Sequence, residues 1–321
     1  MLSTDAIGGY FELELPRVQR LMYAHANRYQ SARASFFALL QAKRPAKVWM
    51  PRYICDCMLE PLVRQNIEFE RYSIDEEFLI SVDLELEKDE WLFYVNYFGI
   101  ADAKVEWLLQ RFPRDQVVID NSQAFFSGPR NNLATIYSPR KFFGVPDGGM
   151  LVSNLEVPTP EEQDIVSSQR VAHLLNRLGG TAESGYADYQ RAEATLDDMV
   201  PRRMSQLTEK MLTGIDFQHA KARRLENFQM LHRHLDTSNA LSIDMDSVSG
   251  PLCYPFVTDR AGLRQKLIAQ RIFVATYWPD VLVQPLAQGY ERQLASQCLP
   301  LPCDQRYTTS DMARILDVIA G

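Results

Sequence analysis

Between residues 47 and 153 the chain alternates short apolar runs with amphipathic stretches, and this alternation limits the possible fold more than any other feature. "KVWMP" (47–51), "FERYSI" (69–74), "EWLFYVNYFG" (90–99), "QVVIDNS" (116–122), "LATIYS" (133–138) and "GGMLVS" (148–153) read as strands. Several have no polar face. A strand of that kind must be covered on both sides, which argues for a mostly parallel sheet between helices. The intervening helices are "SARASFFALLQAK" (31–43, with Ser31 as N-cap), "CMLEPLVRQN" (57–66) and "DAKVEWLLQRF" (102–112). Ligands of such sheets gather at the carboxyl ends of the strands. That places Asp120, at the end of "VVID", on the functional rim.

The pattern changes after about residue 160. "PEEQDIVSSQRVAHLLNRL" (160–178) and "YADYQRAEATLDDM" (186–199) read as helices, and 205–236 as one long, largely polar helix. In the tail, "CYPFVT" (253–258) and "FVATYW" (273–278) read as strands, with helices at 260–272 and 309–321. The expected organisation is an N-terminal arm and large domain over 1–204, a connecting helix over 205–236 and a small α+β domain over 237–321. A net charge of −7 with no basic stripe argues against a nucleic-acid partner. No apolar run approaches the ~18 residues of a membrane span, and the start shows no basic region leading into an apolar one. Five cysteines in no framework spacing point to reduced thiols and a cytoplasmic protein. "CDC" is too tight for a zinc knuckle and the five histidines form no ligand pattern, so no metal is expected.

Three features carry chemistry. The helix start at 31–35 offers free N–H groups to an anion, with Arg33 in its first turn; alone, it reads better as an ordinary cap. Asp120 ends a buried strand with Gln123 three residues on; alone, it reads equally as a strand-end carboxylate capping a turn. Lys141, in "YSPRKFFGVPDGG", is flanked by Phe142 and Phe143, which would exclude water and favour the neutral, nucleophilic amine; alone, it reads equally as a surface lysine. Their order changes the reading. A helix N-terminus, then a strand-end Asp, then a lysine about twenty residues later, then Gly-Gly opening a strand, supply a phosphate anchor, an acid for a pyridine nitrogen and a lysine for an aldehyde. Pyridoxal 5'-phosphate (PLP) needs these three.

On these segments the sequence resembles the DegT/DnrJ/EryC1/StrS family of PLP-dependent sugar aminotransferases, over roughly residues 8–321. "YSPRKFFGVPDGG" is similar to the family's lysine segment and "VVIDNSQA" to its strand-end Asp motif. "QSARASFFALL", "MPRYICDC", "VNYFG" and "LPCDQRY" are weaker matches. The resemblance implies the type I PLP-dependent transferase fold and a homodimer with shared active sites. "GGYFELEL" (8–15) is expected either near a site mouth or as an arm on the partner. The resemblance makes Lys141 the cofactor lysine and proton carrier, Asp120 the pyridine-nitrogen partner and Gln123 the contact to the ring hydroxyl. It puts phosphate contacts at Ala32, Arg33 and Ala34. The implied reaction moves an amino group from an amino acid, most simply glutamate, to a keto-sugar, nucleotide-linked, in polysaccharide or secondary-metabolite biosynthesis.

The chain departs from that family at defined points. Ala32-Arg33 replaces Gly-Thr in the phosphate segment, where an arginine can pair with phosphate itself. Cys55 stands where an aromatic usually stacks on the cofactor, leaving Tyr53 or Tyr97 as substitutes. Ile136 stands where a phosphate-binding Ser is usual, leaving Ser138 to replace it. In "MVPRRMSQL" the family's cross-subunit Asn is missing, with Arg202 and Arg203 nearby. Two other readings stay open. A sugar dehydratase is disfavoured by Lys141, since such relatives carry His there. A non-catalytic scaffold is disfavoured by the joint presence of Asp120, Gln123 and Lys141.

Overall fold

The computed structural model describes residues 9–16, 21–284 and 289–321. Its centre is a sheet of strands β1 (Asn27–Tyr29), β2 (Lys47–Pro51), β3 (Glu68–Tyr72), β4 (Glu90–Val95), β5 (Val117–Asp120), β6 (Ala134–Tyr137) and β7 (Gly149–Ser153). Their order is β1-β7-β6-β5-β4-β2-β3. The pairs from β3 through β6 are parallel, and β7 runs antiparallel to both β6 and β1. All residues of β4, β5 and β6 are buried, as expected of strands covered on both faces.

The first helices are α1 (Ala32–Ala42), α2 (Glu60–Arg64) and α3 (Asp102–Arg111). Ser31 caps α1 through its hydroxyl, which accepts the Ala34 N–H at 3.1 Å. The central part of the chain is helical: α4 (Ser167–Arg170), α5 (Ala172–Gly179), α6 (Tyr186–Ala194), α7 (Gln206–Thr213) and α8 (Phe217–Leu235). Two expectations change here. The helix expected from 160 begins only at Ser167, and the expected 205–236 helix is two, broken at Gly214–Asp216. Asp216 recaps the second by accepting the His219 N–H at 2.9 Å, a signal present in the sequence beside Gly214.

The C-terminal part pairs β8 (Tyr254–Val257) with β9 (Cys298–Leu301) antiparallel, and adds α9 (Leu263–Ala269), α10 (Tyr290–Gln297) and α11 (Thr309–Ala320). "FVATYW" is not a strand; β8 instead pairs with the short run Cys298–Leu301, which ends where "LPCDQRY" begins and where no strand is expected from sequence. Trp278 in that stretch takes a left-handed φ of 51°, which no regular strand tolerates. One continuous core joins side chains of both sheets, from Val48 and Phe93 to Phe228 and Tyr254.

Gly-Gly at 148–149 has a steric cause. Gly148 has φ +131°, and a Cβ on Gly149 would lie 2.1 Å from the Ser31 carbonyl oxygen and 2.6 Å from the Ala32 nitrogen. β7 therefore lies with its backbone against the first turn of α1. The Gly148 N–H also donates to the Gln30 carbonyl at 2.8 Å. Gly149→Ala should destabilise the fold by about 3 kcal/mol, because the obstacle is backbone that cannot rotate away. Urea unfolding with a midpoint within experimental error of the parent would contradict this account.

Candidate active site

The sheet's registers bring the chemistry to one rim. Tyr29 faces Gly149 and Tyr137 faces Met150, so the end of β1, the start of α1, the end of β6 and the start of β7 are neighbours. Asp120 pairs with Val95 on one side and Ile136 on the other. The segment following β2 delivers Cys55 and Cys57, and the β6–β7 connection delivers Ser138 and Lys141.

Asp120 is buried, and its Oδ1 accepts the Ser122 N–H at 2.8 Å. Burial pushes its carboxyl pKa up, opposed by the nearby positive charge of Lys141 and by the Ser122 hydrogen bonds. Among the described residues, no cation lies within ion-pair distance of this carboxylate. Gln123 is also buried, and its Oε1 accepts the Phe98 N–H at 2.8 Å. Phe98 has φ 56°, so the glutamine fixes a strained turn. With the oxygen committed, the side-chain nitrogen of Gln123 has no acceptor among the described residues.

Lys141 differs from expectation. Phe142 and Phe143 are buried in a separate aromatic cluster with Phe125 and Phe217, and the Lys141 side chain is exposed. The phenylalanines anchor the loop rather than shield the amine. That loop is gripped from the C-terminal half: the Phe142 carbonyl accepts from Arg224 Nη2 at 3.1 Å and from Gln305 Nε2 at 2.8 Å. The Arg224 guanidinium lies 4.5 Å from the Phe142 ring centroid.

At the start of α1 some of the donors are already engaged. Ala34 gives its N–H to the Ser31 hydroxyl, so Ala32 and Arg33 hold the open amides of that turn. The Arg33 guanidinium is engaged by Glu60 and Asp197, each at 3.2 Å. Ser138 is buried, and its hydroxyl makes no side-chain cap at the turn it starts. Ile136 is a core residue. Tyr53 and Tyr97 are fully buried, with the Tyr97 hydroxyl donating to the Tyr53 carbonyl at 3.0 Å, so neither presents a face at the rim.

Cys55 is half-buried at the rim and free. A hydrogen bond from Cys57, helped by the positive charges of Lys141 and Arg33, lowers its pKa to about 6 against the opposing cost of burial. The same pairing, with burial, pushes the Cys57 thiol up, so the proton stays there. The adjacency of the two cysteines was legible in "CDC"; the Asp197 and Glu60 contacts to Arg33, remote in sequence, were not.

A groove of about 1370 Å³ lies between α5–α6 and the segments around 271–273 and 302–315, lined by Arg177, Arg271, Arg306, Arg314 and Tyr186. Its walls are tied to the lysine loop. Arg140 pairs with Glu193 on α6, and Gln305, beside Arg306, holds the Phe142 carbonyl. Among the described residues no helix is long and apolar enough to cross a membrane, and no group of three His, Cys, Asp or Glu is placed to hold a metal ion.

With its seven-stranded mixed sheet in this order between helices, the fold is that of type I PLP-dependent transferases. Three solved structures share it. A DegT DnrJ EryC1 StrS aminotransferase from Brucella abortus is 15% identical, with a TM-score of 0.58 over 92% of this chain and 85% of that one. DesI in the presence of its TDP-sugar product is 16% identical, with a TM-score of 0.59 over 95% and 81%. Spr1654 from Streptococcus pneumoniae in its PLP form is 13% identical, with a TM-score of 0.60 over 91% and 85%. No family model and no curated protein matches the sequence.

The residues present would fit PLP. The buried Asp120 carboxylate, with no ion-pair partner among the described residues, could take the ring nitrogen, and the Gln123 side-chain nitrogen could take the ring hydroxyl. A phosphate could take the Ala32 and Arg33 amides and the Ser138 hydroxyl. Alkylation of Cys55 by iodoacetamide in the native protein should rise through pH about 6, below the ~8.5 of an unassisted thiol. Labelling that climbs only above about pH 8 would show that Cys57, Lys141 and Arg33 leave it unassisted.

Proposed function

We infer that the protein is a PLP-dependent aminotransferase that moves an amino group from an amino acid, glutamate, to a nucleotide-linked keto-sugar. The observation carrying this reading is Asp120, buried at the central strand end, within electrostatic reach of the exposed amine of Lys141. Bound there, PLP supplies an electron-accepting ring that stabilises negative charge at the substrate carbon.

The chain's own groups do the rest. Lys141 would hold the cofactor through its amine, and the same amine would serve as the base and acid that moves the substrate's proton. Asp120 keeps a proton on the ring nitrogen; burial strengthens that charge-assisted bond by removing competing water. Gln123, oriented by the Phe98 N–H, donates to the ring hydroxyl. The arginine- and tyrosine-lined groove supports an acceptor that carries negative charge and a ring. The TDP-sugar product of DesI is of that kind. A homodimer is supported by the N-terminal arm, where Tyr10 and Phe11 are almost wholly exposed. In the segment 8–15, Gly8 lies outside the described residues, and Glu12 pairs with Lys210 at 2.8 Å on α7.

A non-catalytic relative is the second reading. It is favoured by one observation, that the Arg33 guanidinium is occupied by Glu60 and Asp197. A visible absorption spectrum with added PLP separates the two: a protein-bound band that glutamate bleaches supports the aminotransferase, and no band supports the scaffold. Lys141→Ala should lower kcat/KM by roughly 10³-fold or more, and near-parental turnover would overturn the assignment. Asp120→Asn should lower kcat by roughly 10²-fold while PLP still binds, because the ring nitrogen loses its charged partner. An unchanged kcat would remove Asp120 from that role.

A further inference from the structure

Arg224, on α8, is a buried cation, 2% exposed. Among the described residues no carboxylate lies within ion-pair distance of it, and the Asp304 carboxylate is taken by Arg306 at 2.7 Å. Its hydrogen bonds run to backbone carbonyls instead. Nη1 donates to Pro251 at 3.0 Å and to Leu252 at 3.2 Å, and Nη2 donates to Phe142 at 3.1 Å. Removing a charge from water is costly, and an apolar side chain would fill the space without that cost. What an apolar side chain or a lysine lacks is a planar fork that donates in two directions at once.

The two directions lead to different parts of the site. On one side lies the carbonyl of Phe142, the residue after Lys141; Gln305 Nε2 donates to the same oxygen at 2.8 Å. On the other side lies the turn 250–252. The Leu252 N–H donates to the Phe98 carbonyl at 2.8 Å. The Phe98 N–H in turn donates to Gln123 Oε1 at 2.8 Å. A Cβ on Gly99 would stand 2.9 Å from the Gln123 carbonyl oxygen and 3.2 Å from Pro251 Cα, so these backbones are packed against one another. A path of hydrogen bonds therefore runs from Gln123 through Phe98, Leu252 and Arg224 to the backbone beside Lys141. Arg224 is the link that crosses from the turn to the lysine loop.

We propose that Arg224 is a positioning residue for the lysine, its guanidinium fork setting the Lys141 loop against the turn that holds Gln123. The inference rests on the roles proposed above for Lys141 and Gln123. The aldehyde and the hydroxyl of PLP stand on adjacent carbons of one rigid ring, so their protein partners need a fixed separation. Arg224 supplies it through backbone alone. Gln305 supports the Phe142 carbonyl without reaching the turn, and its Oε1 has no partner among the described residues.

The test begins on the cofactor-free protein, with amide hydrogen exchange read by mass spectrometry. In Arg224→Met, exchange at 138–145, 96–99 and 250–252 should quicken by roughly tenfold or more, while β2, β4 and β5 keep the parental rates. Gln305→Leu should quicken 138–145 alone. Arg224→Lys restores the charge but not the fork, and should resemble Arg224→Met. In the PLP-loaded enzyme, Arg224→Met should lower kcat by roughly tenfold or more and leave KM for glutamate within about twofold of the parent. Parental exchange at 138–145 in Arg224→Met, exchange quickened evenly across the sheet, or parental behaviour of Arg224→Lys would overturn the proposal. Where Arg224→Met does not fold, Arg224→Lys and Gln305→Leu decide by the same readouts. The exchange measurements decide the positioning whether or not PLP binds; a parent that takes up no PLP would instead remove the aminotransferase reading.

Discussion

The close approach of β7 to the first turn of α1 sets where every other group at the rim stands. The contact is backbone against backbone, with the Ser31 carbonyl occupying the space a side chain on Gly149 would need. Because β7 is antiparallel to both β1 and β6, this one contact places the amino end of α1 beside the carboxyl ends of the parallel strands. A helix amino terminus, a strand-end carboxylate and a lysine loop then share one edge, although they lie far apart in sequence.

The electrostatics of that edge follow from unequal burial. Asp120 is removed from water and Lys141 is not, so burial raises the cost of charge on the carboxylate while the amine stays solvated. The same amine also contributes to holding Cys55 ionised. The departure at Cys55 therefore alters the charge of the rim as well as its shape.

Much of the architecture was legible because strands with no polar face allow few packings. β2, β4, β5, β6 and β7 could be read from their apolar runs, and α1 from Ser31. β1 and β9 were not readable, since three or four residues carry no period, and their pairing partners lie more than a hundred and some forty residues away, respectively. "FVATYW" has strand composition but sits where the chain must turn, and tertiary context overrode propensity. At the site, the residue types of Asp120, Gln123 and Lys141 were visible while their surroundings were not. Two phenylalanines beside a lysine suggest shielding, yet their rings are claimed by Phe125 and Phe217 in another cluster. Likewise, nothing near Arg33 in sequence announces Asp197.

The shared carbonyl of Phe142 has a mechanical meaning. Arg224 reaches it from α8 and Gln305 from the segment before α11, so the backbone immediately after Lys141 is suspended from elements that belong to neither the lysine's strand nor its sheet. The reach of the amine is thus a property of the whole chain's assembly. The groove whose wall includes Arg306 and Arg314 is built partly from the same C-terminal elements. The groove and the backbone that carries the lysine therefore share their supports.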